Sequence, residues 1–201
     1  FRDHSSANSY TLNSVFGYNL NEEIKLKVLF NYFDSPYLLN PSSLNKNDAL
    51  NNPEFVRQFI KDQGAGERVF QTQTGVSVDF ILDNNFSNKS TLYFLKRGLI
   101  NPIPGRIIDL NRSGGGFRSV FNKKFLFDDY FINTNAGIDM ELQFDKRTEF
   151  FNIGLPEGNF SPDEIFDNLI YGDLLLRQEE SVTGVGPFLS FDFWLENKWG
   201  F

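Results

Sequence analysis

The sequence predicts an all-β fold, part of an antiparallel transmembrane β-barrel, on three observations. Apolar and polar residues alternate with period two over long segments. Those segments run to about ten residues or more, whereas a strand in a globular sheet is usually about five or six and a tilted membrane-crossing strand needs about 9–11. The connections between them form a short class and a long class that alternate along the chain, as short inner turns and longer outer loops do in an outer-membrane barrel.

Composition supports the β reading. The 201 residues include 24 Phe, and aromatics make up 16% of the chain, a bias that favours strands. With 40% hydrophobic and 22% charged residues the chain is not disordered. It has no cysteine, so disulfides and thiolate metal sites are excluded. A formal net charge of -7 argues against nucleic acid as a partner, because phosphate contacts need clustered Lys and Arg. No apolar run approaches the length of a transmembrane helix.

The first segment, Ser9 to Tyr18, sets Tyr10, Leu12, Phe16 and Tyr18 against Thr11, Asn13 and Gly17. NLNEE turns the chain into Ile24 to Phe33, where Ile24, Leu26, Val28, Phe30 and Tyr32 oppose Lys25, Lys27 and Asn31. After a long stretch from about Asp34 to Arg68, Val69 to Leu82 sets Phe70, Val76, Val78 and Phe80 against Gln71, Gln73, Ser77 and Asp79. DNNFSNK is read as a turn. Ser90 to Ile100 is apolar on both faces, and its parity stays open, as does that of Ile107 to Phe121, which Gly114, Gly115 and Gly116 interrupt. NPIPGR between them is a modest loop.

NKKFLFDD leads into Tyr130 to Phe144, the longest clean alternation. Ile132, Ile138, Met140 and Leu142 are expected to face lipid, opposite Asn133, Asn135, Asp139, Glu141 and Gln143. A second insertion is expected from about Asp145 to Glu180. Ser181 to Leu195 then alternates again, with a local defect expected at Pro187, and ENK precedes the start of an eighth strand at Lys198 to Phe201. With the short turns at the inner end, Phe16, Tyr18, Phe80, Phe121, Tyr130 and Phe193 form one aromatic girdle. Tyr10, Tyr32, Phe70 and Phe144 form the outer one. A soluble sandwich with a Phe-rich core explains neither the strand lengths nor the alternating connections.

Unpaired backbone groups are too costly in hydrocarbon, so such a sheet must belong to a closed barrel. The chain starts at Phe1 and its first strand runs inward from an outer loop. It is therefore expected to be an internal piece, with Phe201 a truncation point and not a terminal aromatic.

Chemistry is sparse. His4 lies before the first strand without Cys or other His, and a solvated loop residue is expected. Asp139 and Glu141 share a face at i,i+2 spacing, which suits acid–base work, yet a wet inner wall needs such residues for hydration alone. SGGGF, Ser113 to Phe117, lacks the Lys and helix of a phosphate loop and marks a bend or a close approach by something filling the lumen. No catalytic or metal-ligating residue is assigned, no cofactor is expected, and ligand-binding residues stay unassigned. The long loops are the natural place for specificity. A short helix is expected around NPEFVRQFIKDQ with Asn52 as its cap before Pro53, and another start at Ser161–Pro162. Tyr37, Phe151 and Tyr171 could touch a ligand or pack the loops together.

Five stretches carry a family resemblance: FRDHSSANSYTLNSVFGYNL, NPEFVRQFIKDQGAGERVFQTQTGVSV, RGLINPIPGRIIDLNRSGGGFRSVF, AGIDMELQFDKRTEFFN and ESVTGVGPFLSFDFWLENKWGF. Together they resemble the barrel of a TonB-dependent outer-membrane receptor of the siderophore type. The resemblance implies that residues 1–201 are part of one barrel domain of about 22 strands, with about seven strands and the start of another in this chain. The plug domain is absent from it. The resemblance further implies a bacterial outer-membrane location and TonB-energised, ligand-gated uptake of a ferric siderophore or similar small ligand. Outer-membrane lipid would be a partner, and TonB would be contacted through an N-terminal region that this chain lacks. The protein is not expected to be an enzyme. The alternative reading is a barrel that secretes or assembles polymers without TonB.

Overall fold

The computed structural model describes residues 2–195 and 199–200; the ENK turn at 196–198 and Phe201 lie outside the described residues. The chain forms one antiparallel sheet whose eight strands follow sequence order. They are β1 (Ala7–Asn19), β2 (Ile24–Leu39), β3 (Gly66–Asp83), β4 (Phe86–Ile103), β5 (Arg106–Leu126), β6 (Tyr130–Gly154), β7 (Ile170–Leu195) and the short β8 (Trp199–Gly200).

Register gives each face its identity, because directly paired residues point the same way. One row runs Phe16, Val28, Val76, Leu92, Phe117, Met140, Val185. The next row runs Gly17, Lys27, Ser77, Thr91, Arg118, Asp139, Gly186. The first row is apolar and the second polar, and the parity left open by the sequence follows: even positions of β4 and odd positions of β5 share the apolar face. Phe16, Leu92, Met140, Leu142 and Val185 on that face are all exposed in the chain. Both aromatic girdles lie on it too, and at the inner end Tyr130 stacks between Phe127 and Phe193, at 4.4 and 5.2 Å between ring centroids.

The rows are oblique to the turns. The row through Leu26 crosses β2 close to its inner turn, yet it meets β7 at Pro187, well inside that strand. Successive strands are thus staggered, which is what a tilted barrel wall requires.

Several expectations are corrected. The interval 145–180 is mostly strand: β6 continues to Gly154 and β7 begins at Ile170, leaving 155–169 as the connection. NPIPGR is no loop but a two-residue turn, Pro104 then Gly105 at φ 80°, the order a type II turn asks for. DNNFSNK tightens to Asn84–Asn85. NKKFLFDD is mostly β5, and its turn is residues 127–129. The helix expected from Asn52 is two helices. The first, α1 (Lys46–Asn51), is capped by Asn45, whose Oδ1 accepts from the Asp48 amide at 2.9 Å, and Asn52 ends it. The second, α2 (Gln58–Asp62), starts after a non-helical stretch over residues 52–57. At Ser161–Pro162 the start is real but yields only a 3-10 turn, Ile165–Asp167, with the Ser161 amide donating to Glu164 at 2.9 Å. Register passes through Pro187 without a shift.

The bend expected at SGGGF is also absent, since Ser113 to Phe117 pair in register on both sides. The close approach found is not by a lumen filling but within the sheet itself. A Cβ at Gly116 would lie 2.6 Å from the hydroxyl of Tyr93, its direct cross-strand partner. Tyr93 lies over the glycine to donate to Glu141 at 3.1 Å. Phe70 over Gly98 and Phe188 over Gly137 repeat the arrangement, each a direct cross-strand pair.

At the outer end the connection 155–169 folds onto the same face that carries the apolar band. Ile165, Phe166 and Leu169 bury Leu39 and Ile107 together with Tyr37 and Ile100. Ile107 is fully buried. A buried polar node joins this region to the loop 40–65. Asn152, with no exposed surface, donates from Nδ2 to the carbonyls of Gln63 (2.9 Å) and Ile103 (3.2 Å), while its Oδ1 accepts from the Gly154 amide at 2.9 Å. In return the Gln63 side chain donates to the Asn152 carbonyl at 3.0 Å and accepts from the Gly105 amide at 2.6 Å.

Candidate functional site

The polar face is a ladder of cross-strand pairs. Arg118 meets Asp139 at 3.4 Å, and Arg112 holds Asp145 bidentately at 2.8 and 2.6 Å, with Gln143 donating to the same carboxylate at 3.2 Å. Further out, Glu149 is 2% exposed and sits between Arg106 (2.8 Å) and Arg147 (2.6 Å), the pairing that lets a carboxylate be so deeply covered. Towards the inner end Lys27 and Lys89 flank Asp79 at 3.4 and 3.9 Å. Asn122 donates to Asn133 and Asn135, which donate on to Asp192 and Ser190. This wall is suited to hydrate, or to meet a polar filling. Among the described residues no group of three or more His, Cys, Asp or Glu is arranged to hold a metal ion.

The outer loops enclose a cavity of about 820 Å³ bordered by His4, Lys61, Asp62, Leu155, Phe160 and Ile165. His4 is more than a solvated loop residue. It takes φ 54°, uncommon without glycine, and its Nε2 lies 2.8 Å from the Ala65 carbonyl. Burial lowers the pKa of its imidazole below the usual 6.5, only partly opposed by the hydrogen bond to Ala65. Beside it the ammonium of Lys61 bonds Asp3 and, with the His4 amide, holds that carboxyl below the usual carboxylate range. On the far side Arg68 reaches Asp167 at 2.6 Å and lies over the Phe166 ring, fastening the folded-down connection to β3.

The residues singled out in the sequence do not converge on one site. Asp139 and Glu141 belong to the polar wall, each already engaged, by Arg118 and Tyr93 respectively. Tyr37 packs in the outer cluster, and Tyr171 meets Phe150 edge-on at 5.3 Å, so both serve packing; Phe151 remains exposed. Sequence reasoning missed Gln63, Asn152 and the Arg106–Glu149–Arg147 triad. Gln63 and Asn152 are 89 residues apart and Arg106 is 43 residues from Glu149, so only the fold brings them together; Arg147 stands two residues from Glu149 on one face of β6.

No family model and no curated protein matches the chain. Solved structures do. The ferric citrate transporter FecA, in its unliganded form, superposes with a TM-score of 0.73 at 12% identity over 96% of this chain. The sheet is a section of an antiparallel β-barrel. The siderophore receptor PiuA from Acinetobacter baumannii superposes with a TM-score of 0.61 at 10% identity over 93% of this chain. The chain spans 28% and 33% of the length of these two barrels' chains. The all-β class and antiparallel wall expected from the alternation are thereby shown.

Proposed function

We propose that this barrel section belongs to a TonB-energised outer-membrane receptor that takes up a ferric siderophore or a comparable scarce chelate. The observation that carries the reading is the superposition of nearly the whole chain on a ferric citrate transporter. The two faces agree with it. An exposed apolar band with aromatic edges suits lipid, and a polar ladder of paired charges suits a wet, filled interior. On this reading a plug and a TonB-contacting segment belong to parts of the protein outside residues 1–201. The barrel then holds the plug, and the outer loops meet the ligand first.

The test uses the intact protein in its own outer membrane. Uptake of a radiolabelled ferric chelate should disappear when the gene is deleted and equally when TonB is removed. Uptake that persists without TonB, or export of a polymer through the same barrel, overturns the reading in favour of a pore or secretion barrel.

A further inference from the structure

The apolar face is not uniform. Between β4, β5, β6 and β7 it carries a groove of about 410 Å³, walled by Phe94, Phe117, Leu142 and Phe144. Its floor exists because Gly115 has no side chain, whereas Phe94, Leu142 and Phe117 beside it on that face have large ones. Ser113 and Thr183 keep its ends low. Each of these residues has the apolar-face parity, so the groove opens away from the polar wall.

At its outer end stands Lys96. The register pairs it with Ser113 on one side and Thr72 on the other, which puts an exposed ammonium on the apolar face. Among the described residues no carboxylate lies within salt-bridge distance of it. The next row outward on that face carries Asp34, two strands away on β2, and Lys146 with Glu179, which pair with each other at 3.5 Å. Counting from Phe86, where β4 starts at the inner turn, Lys96 lies about one membrane-crossing length up the strand, about 9–11 residues. It therefore sits where hydrocarbon gives way to headgroups on the outer side.

We propose that this groove and Lys96 together bind one lipid of the outer leaflet, a phosphorylated, multiply acylated glycolipid of the lipid A kind. An acyl chain lies over Gly115 between the aromatic walls, and a phosphate contacts the Lys96 ammonium and the Ser113 hydroxyl. An apolar trough alone would take any acyl chain. The unpaired cation at its outer mouth selects an anionic headgroup, and its height selects the outer leaflet. The inference rests on the apolar face lying against a bilayer, as the proposed function requires.

The experiment purifies the full-length protein from outer membranes in mild detergent and measures co-purifying lipid by native mass spectrometry. Wild type should retain lipid A at a stoichiometry near one. Lys96→Gln should lower retention about tenfold, as expected for losing one charge-assisted phosphate contact. Thr183→Trp, which fills the groove from an exposed position on β7, should lower it as much without touching the phosphate. Lys89→Gln, on the polar wall, should change nothing. Dephosphorylated lipid A should compete poorly. Wild-type retention in either Lys96→Gln or Thr183→Trp, equal competition by phosphatidylglycerol, or a bound protein in place of lipid overturns the proposal while leaving the receptor reading intact. A protein absent from the membrane fraction overturns both, and TonB-dependent uptake, measured separately, tells the two failures apart.

Discussion

At Gly116 the fold depends on an absent side chain. Any Cβ there meets both the Tyr93 hydroxyl and the Met140 carbonyl, each at 2.6 Å. Gly116→Val should therefore destabilise the intact barrel by about 1–3 kcal/mol, the usual range for overpacking. Part of that loss should return in a Gly116→Val, Tyr93→Ala double variant, because removing the ring frees the space. Urea unfolding in detergent checks this, and independent, additive losses would disprove the contact. His4 supports a pH prediction. Its folded-state pKa lies below the ordinary 6.5, so the unfolded loop binds the proton more readily than the folded one. Stability of the 40–65 loop should then fall as pH drops below about 6.5 and go on falling through the lower folded value. The Asp3 carboxyl, depressed by Lys61, adds a second loss below its ordinary 3.8, as protonation breaks that tie. Protease nicking between residues 40 and 65 should rise from pH 7 to pH 5 in the wild type. A His4→Gln variant should show a flatter profile over that interval.

Among the elements, the alternation in β6 is legible from Tyr130 to Phe144 and then vanishes, although the strand continues to Gly154. Hydrophobic periodicity reports what lies on each side of a strand, not the strand itself. Beyond Phe144 the run DKRTE has polar partners on both faces, so pairing persists while the signal stops. Residues 170–180 of β7 are hidden for the same reason, with LRQEE exposed throughout. The parity of β4 was illegible because Tyr93 and Leu95 put large side chains on the polar face, opposite Gly116 and Gly114. The loop helices misled because Asn52 has the residue type of a cap but closes α1 instead of opening α2. The folded-down connection 155–169 had no period to betray it, yet its apolar anchor is deep. Phe166→Ala should cost about 3–5 kcal/mol locally, as for a buried Phe elsewhere. Limited proteolysis should then cut within 155–169 while leaving the strands intact. Cutting no faster than in wild type would show that Arg68 and Asp167 alone suffice to hold it.

For the molecule as a whole, β1 and β7 leave long rows of backbone donors and acceptors without strand partners within the described residues. Such edges recruit other strands. The isolated 201-residue chain, refolded without detergent, should therefore aggregate, and sedimentation would reveal it. A monomeric, cooperatively unfolding species would count against the barrel. The oblique rows bear on what can heal those edges. Because each hairpin starts further along its neighbour than the last, the sheet resembles a length of screw thread more than an arc of a ring. A thread can be continued only by one of the same pitch and hand. Any segment that completes this wall must arrive already displaced by the accumulated advance of seven strands, so a flat or wrongly pitched sheet would seal one edge and miss the other.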